Sequence, residues 1–202
     1  TDSDSNSNFN SDSGVNKTPE EKFKILFYGT YIPLHGIQYI IKAAHILESE
    51  NVEFKLIGKG QTFPEIKNLK EELNLSNVEF IDMVPYEDLP QYIAGSDACL
   101  GIFGGTEKSL RVIPTKAYQI LAMKKPLITG DSSGARELLI NRGNAILCNM
   151  ADAESLASSI LELKNDQTLS DKIAKNGYDL FKRTLSPEEI GKEALRIIKE
   201  VV

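Results

Sequence analysis

From Phe23 onward, short apolar runs alternate with longer stretches in which apolar residues recur every three or four positions. The short runs cover 23–30, 52–58, 78–82, 97–103, 126–130 and 144–148. They are rich in β-branched and aromatic residues and predict strands. The stretches between them predict helices. Residues 36–49 place Ile37, Ile40, Ile41, Ala44 and Leu47 on one face, and His45, beside Ala44, reads as a partly buried structural residue. Further helices are expected at 63–73, 86–94, 114–124, 133–141, 153–164 and 169–183, with a last one from Ser186. Thr62 with Glu65, and Ser186 with Glu189, have the spacing of capping boxes, and Pro187 suits a first helical position. Strands alternating with helices imply right-handed crossovers. The expected fold is therefore α/β, a Rossmann-like parallel six-stranded sheet with helices on both faces.

The first 18 residues break this pattern, being almost entirely Ser, Asp, Asn, Gly and Thr. Such a stretch buries too little apolar surface to offset its ordering entropy, so residues 1–20 read as a disordered linker and 21–202 as one domain. Asp2-Ser3-Asp4 matches a metal-binding DxD pattern, a match expected by chance in so simple a composition. The net charge of −6, with both signs interspersed, argues against a nucleic-acid footprint and against an anionic membrane surface. Cys99 and Cys148 each lie in an apolar run, which suggests buried thiols in a reducing compartment, and no CxxC or Cys/His cluster suggests a metal. No segment approaches the ~20 apolar residues of a membrane span.

Ligands of such sheets bind beyond the carboxyl ends of the strands. The loops in question are 29–36, 58–61, 83–86, 104–113 and 131–134. No GxGxxG follows the first strand, which speaks against a dehydrogenase. The loop after the fourth strand is the most informative. It runs Phe103-Gly104-Gly105-Thr106-Glu107-Lys108-Ser109-Leu110-Arg111-Val112-Ile113-Pro114-Thr115-Lys116 into a helix. Cations are disfavoured at a helix N-terminus unless a ligand brings negative charge, most simply a phosphate. The alternative is a pair of solvated basic residues. Lys116 and Gln119 are three apart, so they share a face away from Ala117, Ile120 and Leu121. That face either meets a ligand or is the polar outside of an amphipathic helix.

Gly29 through Gly36, VEFIDMVPYEDL from Val78, SDACL from Ser96 and RVIPTKAYQILAMKKPLITGDSSGARELL from Arg111 together resemble the C-terminal domain of GT-B glycosyltransferases of the family 4 type. The resemblance spans nearly everything from Phe23 to Val202. It implies the donor-binding domain of a retaining, metal-independent glycosyltransferase that takes a UDP-, GDP- or ADP-sugar and passes the sugar to a glycan, lipid or other acceptor. It also implies a missing N-terminal partner domain, toward which the final helix crosses and through which peripheral membrane association would come. The implied location is cytoplasmic. The isolated chain is expected to bind donor but transfer little sugar.

Carried over position by position, the resemblance departs from the family in two places. Two glutamates eight apart in most members fall here on Arg111 and Gln119, and an Arg and a Lys after the first strand fall on Thr30 and His35. A subgroup with Arg-Val-Ile-Pro-x-Lys before the helix resembles this chain more closely and implies that Arg111 and Lys116 meet the diphosphate as catalytic cations. Gln119 would then accept a ribose hydroxyl, more weakly than a carboxylate. Gly29, Thr30, His35, Gly36, Lys59, Gly104 and Gly105 are expected near the donor, His35 as a phosphate donor. Met83 and Val84 are expected at the nucleobase, and Glu107 at the sugar or paired with Arg111. Glu137 reads as a helix-start or ligand residue and Asp97 as structural. The lost glutamates leave a second reading open, a non-catalytic nucleotide-sugar-binding or assembly subunit of a split transferase.

Overall fold

The computed structural model describes residues 21–201; the linker and DxD expectations lie outside the described residues. Six strands form one parallel sheet in the order β3-β2-β1-β4-β5-β6. They are β1 (Phe23–Tyr28), β2 (Val52–Ile57), β3 (Val78–Ile81), β4 (Ala98–Leu100), β5 (Leu127–Gly130) and β6 (Ile146–Cys148). The helices are α1 (Ile37–Ile46), α2 (Phe63–Glu72), α3 (Leu89–Ala94), α4 (Thr115–Ala122), α5 (Ser133–Arg136), α6 (Ala153–Asn165), α7 (Gln167–Leu180) and α8 (Pro187–Val201). A π-helical segment, Phe181–Leu185, joins the last two.

The alternation of β1 divides the core. Phe23, Ile25 and Phe27 face α1, α2 and α6, while Leu26 and Tyr28 face α4 and α5. Both sides are apolar because helices cover both faces of the sheet. The apolar stripe of α1 is fully inside, as its periodicity requires. Asp97 is structural: its Oδ2 accepts from Lys24 N at 2.7 Å and its own N–H donates to Lys24 O, locking the start of β4 to β1. Cys99 and Cys148 are buried free thiols, pushed up to about 12 by burial.

Four local expectations are corrected. Thr62 caps nothing with its side chain; its φ of −90° and ψ of 0° are not the extended cap geometry, because its N–H is drawn to Tyr31 O at 3.1 Å. His45 lies outside on α1, its Nδ1 3.2 Å from exposed Glu48. The helix expected at 133–141 ends at Arg136, where Asn144 Oδ1 captures Ile140 N and turns the chain toward β6. The one expected at 86–94 starts at Leu89, after a turn in which Asp88 N donates to Pro85 O. Ser186 does cap α8, its Oγ accepting from Glu189 N at 3.3 Å.

Candidate functional site

The chain leaves β1 in one direction through β2 and β3, then returns to place β4 on the other side. The loops after β1 and β4 therefore diverge from neighbouring strands and frame a cleft. They are stitched together: Phe103 N donates to His35 O at 3.0 Å and Gly104 N to Leu34 O at 3.2 Å. Gly36 makes this approach feasible. It caps α1 with φ of 65°, and a methyl group there would lie 2.5 Å from Gly104 N. Gly36 and Gly104 thus spend their missing side chains on each other's loops. Ser109 closes the following turn, its hydroxyl donating to Gly104 O and accepting from Thr106 Oγ1 at 3.2 Å.

Lys116 stands at the second position of α4 and turns in toward the strand ends, only 6% exposed. Its Nζ lies 3.9 Å from the centre of the Phe27 ring and 3.5 Å from Gly101 O. No carboxylate pairs with it among the described residues. Burial holds its pKa down at about 7. The polar-outer-face alternative for Lys116 is thereby excluded. Gly29 lies directly before it, with φ of 145°; a methyl there would sit 3.1 Å from Lys116 Nζ and 3.3 Å from His35 Cε1. His35 is buried, and its pKa is lowered to about 4 by burial and by the nearby Lys116 charge. Its Nδ1 lies 2.5 Å from Thr30 O. A carbonyl only accepts, so Nδ1 carries the proton and the remaining ring nitrogen of the neutral ring is an acceptor. In this state His35 orients the Thr30 loop; it has no second proton to give a phosphate.

Gln119, one turn on from Lys116, is engaged at both ends. Tyr28 OH donates to Gln119 Oε1 at 3.2 Å and lies 3.3 Å from Lys116 O, while Gln119 Nε2 donates to Tyr86 OH at 3.3 Å. Tyr28 occupies one of the two lone pairs of the amide oxygen, which leaves the other able to accept a further hydrogen bond. Met83 and Val84 line an apolar pocket of about 380 Å³ with Tyr28, Gly29, Thr30 and Ile57. This pocket adjoins the Lys116 corner through Gly29.

The remaining expected residues lie outside that corner. Arg111 and Glu107 are exposed and pair with each other at 3.4 Å on the loop before α4. Lys59 pairs with Asp82 at 2.9 Å, both exposed. Glu137 is exposed beyond α5, and Gly105 is exposed with only Ala151 close to it. The structure thus brings together Gly29, Thr30, His35, Lys116 and Gln119, and pairs Arg111 with Glu107 on the exposed loop before α4. Sequence reasoning missed Phe27, Tyr28 and Tyr86. The available signal was a tyrosine at the end of a strand, immediately before a glycine, and another in a turn just after Val84-Pro85.

A profile of the glycosyl transferases group 1 family matches residues 8–180. The chain belongs to this family. An uncharacterized glycosyltransferase of Methanocaldococcus jannaschii is 26% identical over 165 residues, covering 78% of this chain and 43% of that protein. HepE of Anabaena, solved in complex with UDP-glucose, superposes with a TM-score of 0.77 at 18% identity, over 89% of this chain and 49% of that one. The C-terminal domain of a group 1 glycosyltransferase (LpcC) from Francisella tularensis superposes at 0.70 with 21% identity, over 81% of this chain and 86% of that domain. The fold is that of a GT-B C-terminal half, and the chain spans about half the length of the relative and of HepE.

Proposed function

We propose that this chain is the donor-binding domain of a retaining glycosyltransferase and that its donor is a UDP-sugar. The observation that carries the reading is Lys116, a buried ammonium at a helix start, with no carboxylate partner among the described residues and lying beside Gly29 at the sheet's switch point. A buried cation without a partner costs stability, and such groups concentrate where a ligand supplies the counter-charge. A diphosphate at Gly29 does so. HepE, with the same fold, has been solved with UDP-glucose, and the apolar pocket beside Gly29 supplies a place for the base.

In the proposed reaction the bond between the anomeric carbon and the diphosphate oxygen breaks, its electron pair passing to the diphosphate. Lys116 stabilises that developing charge. The acceptor hydroxyl attacks the same face of the sugar and passes its proton to the departing diphosphate oxygen as the new bond forms. Preorganised charge of this kind typically contributes roughly 2.7–4 kcal/mol per group. Arg111 is assigned the second cation. Its exposed pair with Glu107 is worth about 0–1 kcal/mol, so exchanging Glu107 for phosphate is inexpensive. With protein cations in these roles, transfer is proposed to proceed without a metal, in the cytoplasm, and to need the N-terminal half with its acceptor site. In the complete enzyme Lys116→Ala and Arg111→Ala should each lower turnover at least tenfold. Unchanged kinetics in both would refute the assignment.

A second reading, a binding or assembly subunit without transfer activity, is favoured by Arg111 and Gln119 standing where most members carry glutamates. Product formation from UDP-sugar by the complete protein separates the two.

A further inference from the structure

Two pockets open on the α3–α4 side of the cleft, and they share a boundary. The larger, about 380 Å³, adjoins Gly29 and the Lys116 corner and has Ile57, Met83 and Val84 in its wall. The smaller, about 180 Å³, lies beyond it against Ile93, Ala122 and Met123. Tyr86 and Leu89 border both. Tyr86 is 73% exposed, yet it is held at two points. Its backbone belongs to the turn into α3, where Leu89 N donates to Tyr86 O at 3.3 Å. Its hydroxyl accepts from Gln119 Nε2, and Gln119 is itself fixed by the buried Tyr28 hydroxyl. An exposed tyrosine tethered at its tip to a buried relay forms a partition with a defined position.

We propose that Tyr86 is a specificity-determining residue, confining the base to the larger pocket so that a single-ring pyrimidine fits and a two-ring purine meets the partition. This rests on the reading of the cleft as a nucleoside diphosphate site. With the diphosphate at Gly29, the base enters the larger pocket from the Lys116 side, and the extra ring of a purine extends toward the smaller one. Tyr28 and Gln119 act as positioning residues, since they set where the Tyr86 ring stands.

The test is calorimetric titration of the chain with UDP, GDP and ADP, repeated on Tyr86→Ala and Tyr86→Phe. Melting curves confirm folding, which an exposed position should not disturb. The unaltered chain should bind UDP at least tenfold more tightly than GDP or ADP. Tyr86→Ala should narrow that ratio to threefold or less, chiefly by gaining purine affinity. Tyr86→Phe, which keeps the ring and loses the tether, should fall between. A ratio unchanged in Tyr86→Ala, an equal loss for all three nucleotides, or no pyrimidine preference at the outset would each overturn the proposal alone. No binding of any nucleotide would overturn the underlying reading and this proposal with it.

Discussion

Lys116 works against the stability of its own fold. Its pKa falls from an ordinary 10.5 to about 7 on burial, so between those values the unfolded chain binds more protons than the folded one. Stability therefore rises with pH across that window, and the full penalty, about 5 kcal/mol at 1.36 per unit, applies below pH 7. Lys116→Met should melt several degrees higher than the unaltered chain at pH 6, the gap closing as pH approaches 10. A gap independent of pH would contradict the buried-cation account. The same shift bears on binding. A diphosphate favours the protonated lysine, so above pH 7 binding draws in a proton and UDP affinity should fall by up to tenfold per unit between pH 7 and 9. Calorimetry in two buffers of different ionisation enthalpy would count that proton. The sequence pointed to Lys116 through its place at a helix start. It did not reveal that the side chain turns inward over Phe27, since periodicity assigns a face and not a tilt. Arg111 was read by the same logic and pairs with Glu107 on an exposed loop, where no period fixes the side chains.

Secondary elements were legible from pattern because strand and helix periods differ and β4, β5 and β6 are buried throughout. Their ends were not. Strands β1, β2 and β4 stop short of the apolar runs that predicted them, and the leftover residues, such as Ile102 and Phe103, remain buried as they build the cleft rim. Thr62 obeyed a docking contact with Tyr31 in preference to its local capping signal. The loop contact at Gly36 lends itself to a paired test. Gly36→Ala forces a methyl against Gly104 in a left-handed conformation and should cost several kcal/mol, comparable to strain and overpacking combined. Gly191→Ala, with nothing within 4 Å, should stabilise α8 by about 0.5–1 kcal/mol. Equal effects on melting would mean that the two loops do not meet as described. In α8 the apolar residues Ile190, Leu195, Ile197 and Ile198 are exposed, so Leu195→Asp should leave the unfolding free energy of this chain within about 0.5 kcal/mol of unaltered.

The parallel sheet could be anticipated because alternating strands and helices admit few right-handed arrangements, while the strand order, which dictates where a ligand sits, came from the structure. Chemistry was legible only in part. Motif resemblance pointed to a nucleotide-sugar domain, but the substitutions at Arg111 and Gln119 left open how a diphosphate and a ribose would be held. The structure buries Lys116 over Phe27 and holds Gln119 between Tyr28 and Tyr86; that these groups meet the diphosphate and the ribose is our proposal. A net charge of −6 would repel an anion at long range, so any affinity for one has to come from the local field at the cleft. The most direct measurement is therefore titration of this chain with UDP, alongside Lys116→Met, at pH 7 and moderate salt. Saturable one-to-one binding, weakened at least thirtyfold in the variant while its melting temperature holds or rises, is the expected result. No binding by the unaltered chain, or equal binding by both, would contradict a diphosphate site built around Lys116.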